Sequence, residues 1–593
     1  MSTRTIRYTV NPKDLQGHYF DVTLNIPKSV HLGQALQLQL PAWIPGSYML
    51  RDFSKHLECI NANTAIRKID SHTWITVGTS RDVEVTYSIY AFDTSVRTAY
   101  LDQQRGFFNA TSLCLQVLEH ADKACELILT QPKQSASKWH VETTLQALKI
   151  DAHGFGIYQA NNYDTLIDHP IAMGSFQTIQ WQAYGTPHTM VIQGTINEVD
   201  KKQLAKDLQA ICESHIAFFE PEAKRAPFKR YKFIVNAVGD GYGGLEHRDS
   251  TVLLCKRDDL PYLNQDIASH KNYEDFLGLC SHEYFHSWIV KRVKPKAFQP
   301  YKLDRSNHTN LLWFFEGFTS YYDDIQLFRS GCITLSAYLK RLEKTWNMLL
   351  KSPGRHKQSV ADSSFDAWTK YYQMDENTPN AVVSYYAKGS LIGLALDLLI
   401  REATRNKQSL DDVMRHLWQM YQLTQEGLGE EDIDRAIEFI LGQPFQKIWR
   451  QFRKDYIDGT KDLPLKELLS KVNVTITEKE LLPTDHADAA KQLLGIRTAT
   501  INGWVKLSHV LTGGLAQDAG LAAGDILSSI DRERVTPSRV DQLLTHLIQK
   551  LTREEHVDID AFRHEASFTA TIRAKHFKNA TAVVQYTLAP TKN

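Results

Sequence analysis

The sequence predicts a multidomain α+β protein, because its hydrophobic periodicity changes twice along a chain that is too long for one core. The chain has 593 residues, whereas single hydrophobic cores stop growing at about 250–300 residues. Strand-like alternation dominates up to about residue 190, helical periodicity occupies the middle of the chain, and strand signals return after residue 485. We therefore expect several domains of different secondary-structure content.

The first 190 residues are predicted to form an all-β domain. A period of two residues is typical of half-buried strands. The clearest alternation of apolar with polar residues is found at Phe20, Val22, Leu24 and Ile26. Glycine and proline punctuate these segments, as in the sequence WIPGSY at 43–48.

Helical spacing of apolar residues begins in the stretch 199–220 and continues through most of the chain from 273 to 452. Between them, we predict strands at 231–238 and 251–255, separated by a glycine-rich turn at 239–244. These patterns indicate an α+β domain at 191–330 and a helical domain at 331–480. A last domain at 485–593 combines strands with one amphipathic helix near 537–551.

The overall charge argues against nucleic acid or an anionic membrane as the main partner. Lys and Arg total 68, as do Asp and Glu, so the net charge is zero. We find no apolar run of the roughly 18 residues that a membrane helix needs, and no secretory signal. The seven cysteines form no CxxC pair, which favours free thiols and a cytoplasmic protein.

The segment His282-Glu283-Tyr284-Phe285-His286 matches the HExxH pattern of zinc peptidases. On a helix, positions i and i+4 share a face, so both imidazoles can reach one ion. Glu283 lies about a quarter-turn round the helix from His282, where its carboxylate can contact a water on the metal. The alternative is a helix with two incidental histidines.

Glu316 is the candidate third ligand, because it stands in an apolar, aromatic run, LWFFEGF at 312–318. A buried carboxylate needs a cation or strong donors, and a metal is one such partner. An ion pair with Arg or Lys is the alternative. Two histidines and one glutamate leave one position of a catalytic zinc for water, so we predict one Zn²⁺ per chain.

The predicted chemistry is hydrolysis of an acyl bond. Zinc lowers the pKa of its water to about 7 and polarises the carbonyl, while Glu283 takes the proton as general base.

The motif HEYFHSW, followed by the glutamate of FFEGFTSYY, resembles the glycyl aminopeptidase family of gluzincin metallopeptidases. The segments at 43–48 and 243–247 and the carboxyl-terminal module match that family too. The resemblance spans nearly the whole chain. It implies an all-β amino-terminal domain, a thermolysin-like catalytic domain with a helical extension, and a PDZ domain. It also implies a preference for an amino-terminal Gly or Ala.

The segment Gly243-Gly244-Leu245-Glu246-His247 is similar to the exopeptidase motif of the aminopeptidase N class. In that class a glycine-rich edge strand, here Gly243 and Gly244, pairs with the substrate backbone, and a glutamate, here Glu246, binds the free amino group. Glycines permit close approach of a peptide, and a carboxylate selects an ammonium group. Leu245 and His247 depart from the usual motif. The alternative for Glu246 is a surface hairpin carboxylate.

Tyr386-Ala387-Lys388-Gly389 resembles the Tyr-x-Lys-Gly element of the same class. That resemblance implies that Tyr386 stabilises the tetrahedral oxyanion. The neighbouring Tyr385 is the rival for this role, and a helix start with core tyrosines is the second alternative.

The carboxyl-terminal module resembles a PDZ domain, with a carboxylate-binding loop at Leu494-Gly495-Ile496 and a bacterial PDZ turn at 519–525. Such modules add an extended peptide to a sheet edge, and a structural lid is the alternative. We predict a zinc aminopeptidase that acts on peptides with a free amino terminus. A zinc endopeptidase that recruits substrates through the PDZ groove, and a non-catalytic PDZ adaptor with a relict site, are the other hypotheses.

Overall fold

The computed structural model describes residues 5–133, 139–194, 197–263, 271–484, 486–577 and 583–591. Two compact units make up the chain. The first consists of 1–308, 322–333 and 411–436, and the second consists of 309–321, 334–410 and 437–593.

The amino-terminal part of the first unit is built from three sheets and a few short helices. The seven-stranded sheet has the order Gln146–Ile150, Gly156–Ala160, Cys125–Leu129, Ile6–Asp14, Tyr19–Ile26, Val83–Tyr90, Leu57–Ala62. The four-stranded sheets have the orders Gln116–Val117, Gln37–Gln39, Thr73–Thr76, Ile66–Lys68 and His140–Glu142, Ile171–Gly174, Arg105–Phe108, Ala99–Leu101. The short helices are Lys28–His31, Ala110–Leu113 and Tyr163–Ile167.

The predicted alternation is confirmed in the strand Tyr19–Ile26, where every second residue is buried. Its neighbour Val83–Tyr90 has the same pattern. The two strands are antiparallel, and Leu24 lies opposite Val85, so that apolar side chains meet on one face. The core therefore follows from the period of two that the sequence shows.

A five-stranded sheet carries the next part of the first unit. Its order is Gln177–Ala183, Thr186–Gln193, Tyr231–Val238, Ser250–Lys256, Gly243–Glu246. The predicted strands at 231–238 and 251–255 are confirmed. The end of the predicted glycine-rich turn is instead the edge strand Gly243–Glu246, because its backbone pairs antiparallel with Ser250–Lys256.

Two long helices accompany this sheet. Lys201–Phe219 confirms the helix predicted for 199–220, and the Asp200 carboxylate caps it by accepting hydrogen bonds from the backbone N–H of Lys202 and Gln203. Lys271–Phe285 contains the first four of the five residues of the HExxH pattern. Three further helices follow along the chain, at Gly317–Arg329, Leu410–Thr424 and Glu430–Leu441.

The second unit begins with helices. Those that lie in it are Leu312–Phe315, Leu335–Leu350, Val360–Phe365, Thr378–Ala381, Tyr385–Thr404, Gln443–Phe452 and Leu465–Ser470. The segment Thr378–Thr404 is long and apolar enough, by length and composition alone, to cross a membrane. Within the protein, 78% of its most apolar window is buried, which is the pattern of a core helix.

The carboxyl-terminal part of the second unit is a six-stranded sheet with its own core. The sheet has the order Ile496–Ile501, Trp504–Val510, Ile526–Ile530, His556–Arg563, Ala566–Arg573, and Glu533–Arg534 pairs with Ile526–Ile530. A separate pair of strands joins Val474–Leu481 to Val583–Pro590. The helices are Ala487–Leu494, Leu515–Asp518, Val540–Leu551 and Ala574–Phe577, so the predicted amphipathic helix is confirmed.

Candidate metal centre and substrate site

The two histidines of the HExxH pattern lie at the end of the helix Lys271–Phe285. The N–H of His286 donates to the carbonyl of His282 at 3.3 Å, so the helical geometry extends to His286. Both side chains therefore project from one face. His286 is buried, with 2% of its surface exposed.

Each imidazole has an acceptor at its Nδ1. In His282, Nδ1 lies 2.9 Å from Oδ2 of Asp323, and in His286 it lies 3.2 Å from the carbonyl oxygen of Ile289. A carbonyl or ionised carboxylate oxygen only accepts, so Nδ1 carries the hydrogen in both rings. Each neutral ring then presents the Nε2 lone pair, as metal-binding histidines do.

These two Nε2 atoms lie 3.1 Å apart. Two lone pairs at this distance repel each other unless a cation lies between them. Nitrogens bound to one tetrahedral zinc at 2.0–2.1 Å would be about 3.3–3.4 Å apart, close to the spacing in the protein. The pair therefore fits a metal ion.

Glu316 is the residue predicted to be the third ligand. Glu316 is 2% exposed and immediately precedes the helix Gly317–Arg329, in which the N–H of Ser320 donates to the Glu316 carbonyl at 2.9 Å. The same helix carries Asp323, the partner of His282, two turns further on. Donors of this type, two imidazoles and a carboxylate, are those of catalytic zinc sites.

A close helix crossing holds the Glu316 segment within the second unit. A Cβ at Gly317 would lie 2.5 Å from the Cα of Gly389, and a Cβ at Gly389 would lie 2.6 Å from the carbonyl oxygen of Trp313. Only glycine on both helices permits this approach. The glycines that follow Glu316 and Lys388 in the two motifs thus have a packing role.

Glu283 lies beside the glycine-rich edge strand. Its side chain is buried, with 5% exposed. A Cβ at Gly244 would lie 2.6 Å from Cγ of Glu283 and closer still to its carboxylate. The strand Gly243–Glu246 therefore passes directly against this carboxylate.

Glu246 is brought to the same place. One ligand atom from each of Glu246, Glu283 and His286 lies within 4.8 Å of the others. Glu246 is 4% exposed, so it is not the surface hairpin carboxylate of the alternative hypothesis. A Cβ at Gly46 would lie 2.5 Å and 2.6 Å from the two Glu246 carboxylate oxygens. The WIPGSY loop at 43–48 thus forms one wall around Glu246, a contact that the sequence analysis missed.

A buried charge network lies next to Glu246 in the chain. The Asp168 carboxylate, 4% exposed, pairs with Nζ of Lys291 at 2.6 Å, Nε of Arg248 at 3.3 Å and Nδ1 of His247 at 3.3 Å. Burial alone would raise the pKa of Asp168, but the charges of Lys291 and Arg248 and the hydrogen bond to His247 outweigh it and hold that pKa well below its usual range. The network joins the segment after Glu246 to the segment after His286. No motif or periodicity in the sequence pointed to Asp168.

The tyrosine pair begins the helix Tyr385–Thr404 in the second unit. Tyr385 is fully buried, and burial raises its pKa well above the usual value. Tyr386 is half-buried, and its hydroxyl lies 3.2 Å from that of Tyr372. Of the two phenols, Tyr386 is therefore the accessible one.

The chain is similar to known peptidases. A model of the peptidase M61 N-terminal domain matches residues 7–175, and a model of the M61 glycyl aminopeptidase matches residues 275–392. The crystal structure of an aminopeptidase N family protein from Idiomarina loihiensis is 38% identical to the chain. The match covers 99% of this chain and 98% of that one, with a TM-score of 0.89.

A variant of an M1 zinc metallopeptidase from Deinococcus radiodurans matches at 11% identity, over 78% of this chain and 95% of that chain, with a TM-score of 0.46. No curated protein matches the chain.

The sequence matches and the donor set define a metallopeptidase of the aminopeptidase type. The chain belongs to the peptidase M61 family, whose matched model is that of the glycyl aminopeptidases. The family resemblance predicted from the motifs is confirmed. Membership also favours an enzyme over the non-catalytic adaptor.

Proposed function

We propose that the protein is a zinc aminopeptidase that hydrolyses the first peptide bond of substrates with a free amino terminus. The observation that carries this proposal is the pair of imidazoles, because the Nε2 atoms of His282 and His286 lie 3.1 Å apart; Glu316 is the proposed third ligand. One zinc ion per chain fits this donor set.

When bound, zinc supplies Lewis acidity at the scissile carbonyl and lowers the pKa of water. Glu283 takes the proton from the attacking water and passes it to the leaving amine. Its contact with Gly244 supports this role, because the edge strand that would hold the substrate backbone passes against the carboxylate. Tyr386 donates a hydrogen bond to the developing oxyanion, and its accessibility favours it over Tyr385.

Glu246 binds the substrate's ammonium group and so restricts cleavage to the first bond. Its closeness to Glu283 and His286 supports this role. Gly243 and Gly244 present the edge of the sheet to the substrate backbone. The preference for an amino-terminal Gly or Ala rests on the family description that matches residues 275–392.

We propose domains at 1–190, 191–330, 331–480 and 485–593, the last of them a PDZ domain. Its order of elements supports this assignment: an edge strand Ile496–Ile501, a hairpin to Trp504–Val510, and a helix Val540–Leu551. All seven cysteines are free thiols, which supports a reducing compartment such as the cytoplasm. Peptides are the proposed partners.

A panel of substrates tests the proposal. Glycyl and alanyl amides, longer free-amine peptides and their N-acetylated counterparts are compared, with zinc content measured on the same sample. We expect about one zinc per chain and sequential release of amino-terminal residues. Cleavage of acetylated peptides at internal bonds would establish an endopeptidase instead.

A further inference from the structure

Two buried asparagines connect the helical part of the second unit to its carboxyl-terminal strands. Nδ2 of Asn347 donates to the Tyr586 carbonyl at 2.8 Å, and its Oδ1 accepts from the Tyr586 N–H at 2.9 Å. Nδ2 of Asn380 donates to the Val510 carbonyl at 3.0 Å, and its Oδ1 accepts from the Thr512 N–H at 2.8 Å. Each carboxamide thus satisfies one donor and one acceptor of the backbone.

The two clamps have similar burial but different positions. Asn347 is 7% exposed and Asn380 is 5% exposed. Asn347 lies in the helix Leu335–Leu350. Asn380 lies in the short helix Thr378–Ala381, from which three residues lead directly to the helix Tyr385–Thr404. The second clamp therefore lies in the segment that leads directly into the helix carrying Tyr386.

The three connecting residues are also held from the other side. The Val383 N–H donates to Oε1 of Gln358 at 3.3 Å, and its carbonyl accepts from the hydroxyl of Ser363 at 2.5 Å. The Asn380 clamp lies two residues before this connection, and these bonds hold its middle residue. Without the clamp, the connection can move about Val383.

The direction of the Tyr386 side chain depends on where its helix begins. Ser384 is the N-cap, and its hydroxyl accepts from the Ala387 N–H at 3.1 Å and lies 3.1 Å from the Tyr371 hydroxyl. A displaced connection shifts this cap and, with it, the first turn that carries Tyr386. A donor to an oxyanion must be held to within about 0.5 Å.

We propose that Asn380 is a positioning residue for Tyr386, and that the carboxyl-terminal sheet thereby takes part in catalysis by fixing the tyrosine helix. This inference rests on the proposed oxyanion role of Tyr386. It gives residues 510–512 a role in positioning Tyr386, whether or not the carboxyl-terminal domain also binds a peptide.

The test compares Asn380→Ala with Asn347→Ala, which breaks an equivalent clamp away from Tyr386. We expect Asn380→Ala to lower kcat about 10- to 100-fold, with KM within about twofold and zinc content unchanged. Asn347→Ala should lower the Tm about as much as Asn380→Ala does, but it should keep kcat within about twofold of the parental value. Equal kcat values for the two variants would overturn the proposal.

A double-mutant cycle separates positioning from a general loss of structure. If Asn380 acts through Tyr386, then Asn380→Ala should have almost no effect on kcat in a Tyr386→Phe background. Multiplicative losses would show that Asn380 acts elsewhere and would overturn the inference. A Tyr386→Phe enzyme with parental kcat would instead refute the oxyanion role in the proposed function, and the inference with it.

Asn380→Asp serves if the alanine variant does not fold. It keeps the Oδ1 acceptor for the Thr512 N–H but replaces the donor to Val510 with a second oxygen. We expect a kcat between those of the parent and of the fully unclamped enzyme, again without further loss in the Tyr386→Phe background. A parental kcat in Asn380→Asp, with a lowered Tm, would contradict the proposal.

Discussion

The backbone of Gly244 lies directly against the carboxylate of Glu283, at a spacing that only glycine permits. The contact joins the edge of the five-stranded sheet to the HExxH helix. It means that a substrate paired with the strand Gly243–Glu246 would pass the proposed general base at van der Waals distance. The strand that is proposed to hold the substrate therefore also packs against the proposed base.

Gly244→Ala should inactivate the enzyme without removing its metal. The new methyl group would displace the Glu283 side chain, and a misplacement of about 1 Å in a catalytic group can cost about 100-fold in rate. We expect kcat/KM to fall by about that factor or more, with zinc retained because the three ligands are untouched. Steady-state kinetics and metal analysis measure the two effects.

Gly239→Ala is the matched control, because a Cβ at Gly239 would meet its nearest neighbour, Nη1 of Arg257, at 3.5 Å, an ordinary contact distance. It should keep nearly parental activity. Parental activity in Gly244→Ala would show that Glu283 is not held where the structure places it.

Asp323→Ala should weaken zinc binding while leaving all three ligands in the chain. The Asp323 carboxylate accepts the Nδ1 hydrogen of His282 at 2.9 Å and so fixes its tautomer. Loss of such a partner typically costs 10- to 100-fold in metal affinity. Competition with a chelator at fixed pH measures the change, and Asp323→Asn should cost less because the amide oxygen still accepts. Unchanged affinity in Asp323→Ala would contradict the proposed metal site.

Local features of the site were predictable from the sequence, and long-range ones were not. His282 and His286 stand at helical spacing, and Glu316 stands out as one carboxylate in an apolar run. Asp323, in contrast, reaches His282 from 41 residues away, and Gly46 touches Glu246 from another part of the first unit. Such contacts depend on how helices and sheets pack, which no local periodicity specifies.

Lys388 gives the protein a stability that rises with pH. Lys388 is 1% exposed, and its pKa is lowered from 10.5 to about 8, mainly by burial. The charge of Asp462 opposes this shift, and the charge of Arg355 adds to it. Below pH 8 both the folded and the unfolded chain hold the proton, so the cost of burying the charge is fully present. Between about pH 8 and 10.5 only the unfolded chain holds it, so the free energy of unfolding rises.

Lys388→Met should therefore be more stable than the parent at pH 7, by on the order of 2–3 kcal/mol. The difference should shrink as the pH rises towards 10. Thermal unfolding across this range measures it. Lys357→Met, at an exposed position of the same unit, should shift the Tm little and equally at each pH. A constant difference between parent and Lys388→Met would refute the assignment.

The final prediction concerns the amine specificity proposed for Glu246. A charge-assisted hydrogen bond between the substrate's ammonium group and Glu246 is worth about 1.5–3 kcal/mol, or about 10- to 100-fold in kcat/KM. Glu246→Gln should lose that factor on free-amine peptides and keep its zinc. Gly46→Ala should reproduce the loss, because the added Cβ would lie 2.5 Å from a Glu246 oxygen and push the carboxylate away.

Gly185→Ala controls for backbone strain, since Gly185 has a positive φ of 77° like Gly46 at 96° but open space around its Cβ position. Any loss of Tm caused by an alanine in the left-handed backbone conformation should appear in both variants, whereas the loss of activity on free-amine peptides should appear only in Gly46→Ala.

The double variant Gly46→Ala with Glu246→Gln should have the same kcat/KM as Glu246→Gln alone, because both changes remove the same ammonium–carboxylate interaction. If Gly46→Ala cleaved free-amine peptides at the parental rate, or lost no more activity than Gly185→Ala, Glu246 would not set the specificity through this loop.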